Sequence, residues 1–84
     1  MGSNTNSRAS ALNEQYIIEC ILAKSDCTVV MKNGKRYTFV RDKYNINERG
    51  TIEGIIRGSS KDVKGIKFIR EIREVERWNK KTKK

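Results

Sequence analysis

The chain of 84 residues has no histidine and no proline, and only two cysteines, Cys20 and Cys27. Without histidine, covalent cysteine catalysis lacks its usual base, and two thiols do not make the four-ligand set of a structural zinc site. No catalytic residue, metal site or cofactor site is therefore expected, and the chain reads as non-enzymatic. Both thiols read as small buried apolar side chains in a reducing compartment, with a Cys20–Cys27 disulfide left open should their flanking segments pair. Hydrophobic runs are short: Tyr16-Ile17-Ile18 and Cys20-Ile21-Leu22-Ala23 are split by Glu19 and fall well below the roughly 20 residues that span a bilayer. No basic start followed by an apolar run is present, so no secretory signal is read and the cytoplasm is the expected location.

Acidic residues are scarce where basic ones are dense. Of 19 Lys and Arg, only Arg8 and Lys24 lie in residues 1–31, where Glu14, Glu19 and Asp26 offset them. Residues 32–84, with 17 Lys and Arg against 7 Asp and Glu, therefore carry more than the whole net charge of +9. A charge of this size and placement makes one face or end strongly positive, and the default partner of such a surface is a polyanion, nucleic acid being the commonest. With 36% hydrophobic residues the chain builds one small core and has no room for a second. The organisation expected is a disordered lead over residues 1–7, a single small basic domain over 8–78 and a basic tail over 79–84, where four of six residues are lysine.

Local patterning is β-rich. Thr28-Val-Val-Met-Lys-Asn33-Gly34-Lys-Arg-Tyr-Thr-Phe-Val40 joins two β-prone runs through Asn-Gly, which suits a two-residue type I′ turn. That turn sets Lys32 opposite Lys35, Val30 opposite Tyr37 and Thr28 opposite Phe39, with Val30, Tyr37 and Phe39 on the core side. Upstream, residues 8–15 read as a short helix and residues 16–22 as a strand. Residues 41–50 read as a loop. Thr51-Ile-Glu-Gly-Ile-Ile-Arg57 is open between helix and strand; Gly50, Gly54 and Gly58 on one helical face would each cost about 1 kcal/mol relative to Ala, which favours the strand. Val63–Arg70 reads as a further strand sending Ile66 and Phe68 to the core. Phe68, Ile69, Ile72, Val75 and Trp78 then recur every three or four residues among alternating charges, so an amphipathic helix is expected from about 70 to 79. The fold class expected is α+β, mostly β: a small five-stranded barrel of the SH3, Sm or OB type with a short N-terminal and a C-terminal helix.

Lys24-Ser-Asp26-Cys-Thr-Val-Val-Met-Lys-Asn33, followed by Tyr37-Thr-Phe-Val-Arg41, is similar to the middle strands of bacterial Sm-like RNA chaperones. That resemblance implies ring assembly and RNA binding. Tyr44-Asn-Ile46, Gly50-Thr51-Ile52, Ile55-Ile56-Arg-Gly58 and Lys64-Gly65-Ile66-Lys67-Phe68 resemble, in their order, the helix-turn-helix modules attached to phage homing nucleases. Under that resemblance residues 48–58 would be helical and Glu48, Arg49, Thr51 and Glu53 would lie at the groove of duplex DNA.

A nucleic-acid site needs cations spaced to meet phosphates and a flat group to stack on a base. Lys32, Lys35, Arg36 and Arg41 on the hairpin, Lys43 and Tyr44 after it, and Arg57, Lys61, Lys64 and Lys67 around the second pair of strands are the candidates, with Tyr44 as the stacking group. Asp26, Asp42 and Asp62 read as turn residues, and Glu71, Glu74 and Glu76 as surface ion-pair partners of the interleaved arginines. The leading expectation is a non-enzymatic DNA- or RNA-binding module making mainly phosphate contacts, with a phage or mobile-element origin suggested by size and composition. The alternatives are a protein-binding module or inhibitor docking on an acidic surface of a larger machine, and the helix-turn-helix duplex binder. Self-association through Ile72, Val75 and Trp78, or through an edge strand, is the further expectation, and no membrane partner is expected.

Overall fold

The protein, seen in a computed structural model, is described here from Ser3 to Glu76 for the backbone and from Ser10 to Glu76 for side chains. Helix α1 (Ser3–Leu22) leads into strands β1 (Cys27–Met31), β2 (Arg36–Asn47), β3 (Thr51–Ile56) and β4 (Val63–Phe68). A single 3₁₀ turn, Ile69–Glu71, then gives way to β5 (Ile72–Glu76). All pairings are antiparallel, in the order β4-β3-β2-β1-β5. Among the described residues the sheet is not closed, with β4 and β5 at its edges, and the expected barrel is not seen. Among the described residues no helix is long and apolar enough to cross a membrane.

Helix α1 replaces both the short helix at 8–15 and the strand at 16–22, and it begins within the segment read as a lead. The apolar run misleads because both parities are hydrophobic; what decides is that Asn13, Ile17 and Cys20, three or four apart, share one buried face. Asn13 closes the contact by donating from Nδ2 to the Ile72 carbonyl at 3.0 Å. The opposite side of the helix leaves Ile18 and Leu22 exposed, Leu22 by 75%.

The β1–β2 hairpin forms one residue out of the expected register. Val30 pairs with Arg36, Val29 with Tyr37, Thr28 with Thr38 and Cys27 with Phe39. The loop therefore has three residues, Lys32-Asn33-Gly34, with Gly34 at φ 92°, the geometry of a type I turn followed by a left-handed bulge residue. Asn33 Oδ1 favours this loop by accepting from the Lys35 N–H at 3.0 Å. Lys32 and Lys35 consequently do not face each other across the strands. The one-residue slip exchanges faces, as strand parity requires: Cys27, Val29 and Met31 enter the core beside Phe39, while Val30 lies on the other face with Thr28 and Thr38.

Beyond Val40 the expected loop is instead the second half of a long β2. Its register against β3 jumps between Phe39↔Ile56 and Tyr44↔Gly54, a large irregular bulge that sets four residues, Val40–Lys43, against Ile55 alone, with Asp42 at φ 65°. The bulge reverses parity, so the inward set passes from Phe39 to Tyr44 and Ile46. It also bends the sheet so tightly that a Cβ on Gly54 would overlap the Lys43 carbonyl oxygen and Tyr44 Cα. Residues 51–56 are β3, as the glycine count favoured, and the helix that a helix-turn-helix reading needs there is absent.

Two expectations at the C-terminal end are corrected. On β4 the inward residues are Val63, Gly65 and Lys67, so Ile66 and Phe68 project outward, 51% and 49% exposed, and do not reach the core. The helix expected over 70–79 is a 3₁₀ turn and a strand as far as Glu76; Arg77, Trp78 and the rest of that span lie outside the described residues. A bulge explains the helical period: β5 pairs Ile72 with Met31 and Glu74 with Val30, so Arg73 is extra and Ile72 and Val75, three apart, both turn inward. Their burial removes them from any self-association stripe.

The bend gives a sharp test. Gly54→Ala is expected to lower stability by about 1–3 kcal/mol or more, because backbone rather than a yielding side chain occupies the added methyl's place. Urea denaturation of the purified variant reads this directly.

Candidate nucleic-acid interface

Two clefts hold five of the 13 cationic side chains among the described residues. The larger, about 660 Å³, lies where the end of α1, the start of β1 and the bend of β2 meet, and is lined by Lys24, Ser25, Asp26, Val40, Arg41 and Arg57 among others. Asp26 organises it. Its Oδ1 accepts the Arg41 N–H at 2.8 Å, and its Oδ2 pairs with Arg57 at 3.0 Å. Arg57 is anchored in turn by its own N–H, which donates to the Thr38 carbonyl. These groups are exposed, so the ion pair adds at most about 1 kcal/mol to stability. Its consequence is positional: one carboxylate holds the Arg57 guanidinium and the Arg41 backbone, while the Arg41 side chain lies nearest Asp42 and Lys24 stands on the same open surface.

The second cleft, about 480 Å³, lies at the other end of β1 and is lined by Met31, Lys32, Asn33, Tyr37, Lys67 and Glu71. The bent sheet creates it by carrying the inner face of β4 back over the hairpin, so that Lys67 Nζ rests 4.0 Å from the centroid of the Tyr37 ring. A cation over an exposed aromatic face contributes about 0.5–1 kcal/mol. The Lys32 N–H donates to the Glu71 carbonyl at 2.9 Å, tying the hairpin tip to the 3₁₀ turn and fixing the far wall.

Other expected cations are dispersed. Arg36 is engaged by Glu76. Lys35 at the hairpin tip, Lys43 beyond the bulge, Lys61 before β4 and Lys64 on its outer face are exposed and line neither cleft. Tyr44 is not a stacking group. Only 8% exposed, it packs on Phe39 with ring centroids 5.9 Å apart, and its hydroxyl donates to the Ser25 carbonyl at 2.9 Å. The aromatic side chain that does reach a basic cleft, Tyr37, is assigned to the core by its strand position. In a closed barrel it would be covered; the open sheet leaves it half-buried.

Cys20 and Cys27 are buried free thiols, not a disulfide. A hydrogen bond with Cys20, then burial, then the proximity of the Cys20 charge push the Cys27 thiol well above its usual range. Burial, followed by the nearby Cys27, Cys20, Asp26 and Asp42, raises the Tyr44 phenol. Among the described residues no group of three or more Cys, Asp or Glu is placed to hold a metal ion. Comparison with protein-family models, curated proteins and solved structures finds no match to this chain.

Both shifts favour the protonated form in the folded state, so the folded protein holds protons that the unfolded chain releases first. Stability is expected to be level up to about pH 9 and to fall above it as the unfolded thiol and phenol ionise. Tyr44→Phe should flatten the decline above about pH 10. Thermal melts across alkaline pH on the two proteins measure the difference.

Proposed function

We propose that the protein is a non-enzymatic nucleic-acid-binding module that holds its ligand mainly through phosphates. The observation that carries this reading is the placement of Arg41, Arg57 and Lys24 around one open cleft, with Lys32 and Lys67 at a second cleft beside a half-buried tyrosine. Five strands do not by themselves imply a ligand; the site does. Arginine forks suit phosphate oxygens because two parallel N–H groups meet them together. The strongly positive remainder of the chain, +9 overall, adds attraction that does not depend on sequence.

Fluorescence anisotropy with labelled single-stranded RNA, single-stranded DNA and duplex DNA tests this. Affinity should fall linearly with salt on a double-logarithmic plot, and Arg41→Ala should reduce the slope by about 1. Absence of binding to all three at low salt would refute the reading.

A second reading, contact with protein, is favoured by the β4 edge. An unpaired strand with exposed Val63, Ile66 and Phe68 is the kind of edge that natural sheets usually cover or charge. Arg70 lies over the Phe68 ring at 4.9 Å and screens only part of it. A second copy of the chain is the partner we take for this edge, since β5, the other edge among the described residues, bears Glu74 to meet Lys64. Sedimentation velocity is expected to show concentration-dependent association that Ile66→Lys abolishes; a monomer at every concentration would refute it.

A further inference from the structure

We propose that the end of β4 is a stacking site for single-stranded nucleic acid, in which bases of any identity lie on two aromatic rings, Tyr37 on the inner side of the sheet and Phe68 on the outer. This deepens the nucleic-acid reading above and rests on it. Two adjacent residues of one edge strand set up the arrangement. Lys67, on the inner face, holds its Nζ 4.0 Å from the centroid of the Tyr37 ring. Phe68, on the outer face and 49% exposed, has the Arg70 guanidinium carbon 4.9 Å from its own centroid. Neighbouring Cα atoms are about 3.8 Å apart and successive side chains take opposite faces. The two rings therefore stand on either side of the free edge of β4.

Each ring carries a cation, and a nucleotide has one group for each member of such a pair. A phosphate attracts the cation, and a base presents a flat face to the ring. Cation contacts with rings that water reaches are weak, so a phosphate draws Lys67 aside at little cost and uncovers Tyr37. Arg70 acts differently, because its planar guanidinium stacks on the free face of a base that lies against Phe68. Lys32, on the same cleft as Tyr37, meets the phosphate beside that base. Every base has a π-face, so these contacts hold a strand without reading its sequence.

A duplex is a different ligand for this surface. Its bases cover one another's faces, and only its phosphates reach Lys32, Lys67 and Arg70. A single strand is flexible enough to pass over the β4 edge from one ring to the other. Phe68 is also the ring that a second copy of the chain would cover, and the experiment separates the two occupants.

Anisotropy titrations of the full chain use fluorescein-labelled oligo(dT) of about ten nucleotides, an abasic strand of the same length and a duplex of mixed sequence. Oligo(dT) should bind at least about tenfold more tightly than the abasic strand, which has the same phosphates and no bases, and oligo(dC) should match oligo(dT) within about threefold. Phe68→Leu and Tyr37→Leu should each weaken oligo(dT) about five- to tenfold and lower the ratio of oligo(dT) to duplex affinity, whereas Phe68→Tyr and Tyr37→Phe keep both. Phe68 is exposed, so its leucine variant is expected to fold independently of how the Tyr37 variant behaves, and a two-dimensional amide spectrum of each verifies this. Equal affinity for oligo(dT) and the abasic strand would overturn this inference and leave phosphate binding intact. So would loss of self-association in Phe68→Leu with oligo(dT) affinity unchanged, which assigns the ring to a second copy. No binding of any probe at low salt would overturn both readings.

Discussion

Phe39 and Tyr44 pack on the same inner face although they are five positions apart, which in a regular strand sets opposite faces, because β2 does not run straight through Val40–Lys43. Asp42 turns the backbone into the left-handed region, where a short polar side chain is tolerated better than most. Across from it, Gly54 supplies the missing side chain that lets β3 lie against the Lys43 and Tyr44 backbone. Gly65 continues this small-residue path on β4, where a Cβ would overlap the Ile56 side chain. Almost everything else in the molecule follows from that bend. It turns a flat meander into a cupped sheet, closes Ile52 and Ile56 over the core that α1 covers, and returns the inner face of β4 to the first hairpin.

The same bend sets the electrostatics. At its outer corner Arg41 and Arg57 meet around Asp26, and at the opposite end of β1 Lys67 comes over Tyr37 beside Lys32. These residues are distant in sequence, and no local charge pattern brings them together. Five cationic side chains stand at the two clefts and the rest are dispersed, an arrangement that under the proposed reading joins general attraction for a polyanion to two places where a ligand's geometry counts. The unpaired β4 edge is the remaining consequence of a sheet that cups without closing.

The mostly β class, the β1–β2 hairpin and the strand at 51–56 were legible from β-branched runs, an Asn-Gly turn and glycine spacing. Face assignments were not, and three of the failures share an origin, extra residues in a strand or its loop. One additional loop residue at Lys32 moved Val30 to the other face of the sheet, where it is still buried, the bulge at Val40–Lys43 moved Tyr44 in, and the bulge at Arg73 gave Ile72 and Val75 a helix-like spacing. Parity carries no mark of a bulge unless a glycine or aspartate announces it, as Gly34 and Asp42 do here and nothing does at Arg73. In the candidate site, Arg41, Arg57, Lys32 and Lys67 were readable as cations, whereas Tyr37 was hidden because its exposure depends on an open sheet edge.

The position of Lys67 reports on the bend, the second cleft and its readiness for a ligand together. Nuclear magnetic resonance of the free protein should find the Lys67 ε-methylene protons displaced upfield by the Tyr37 ring current, with cross-peaks to the ring protons. Both features should diminish as a single-stranded oligonucleotide is added. Lys67 signals at ordinary solvent-exposed positions, without contacts to Tyr37, would contradict the folding of β4 over the hairpin and the clefts built on it.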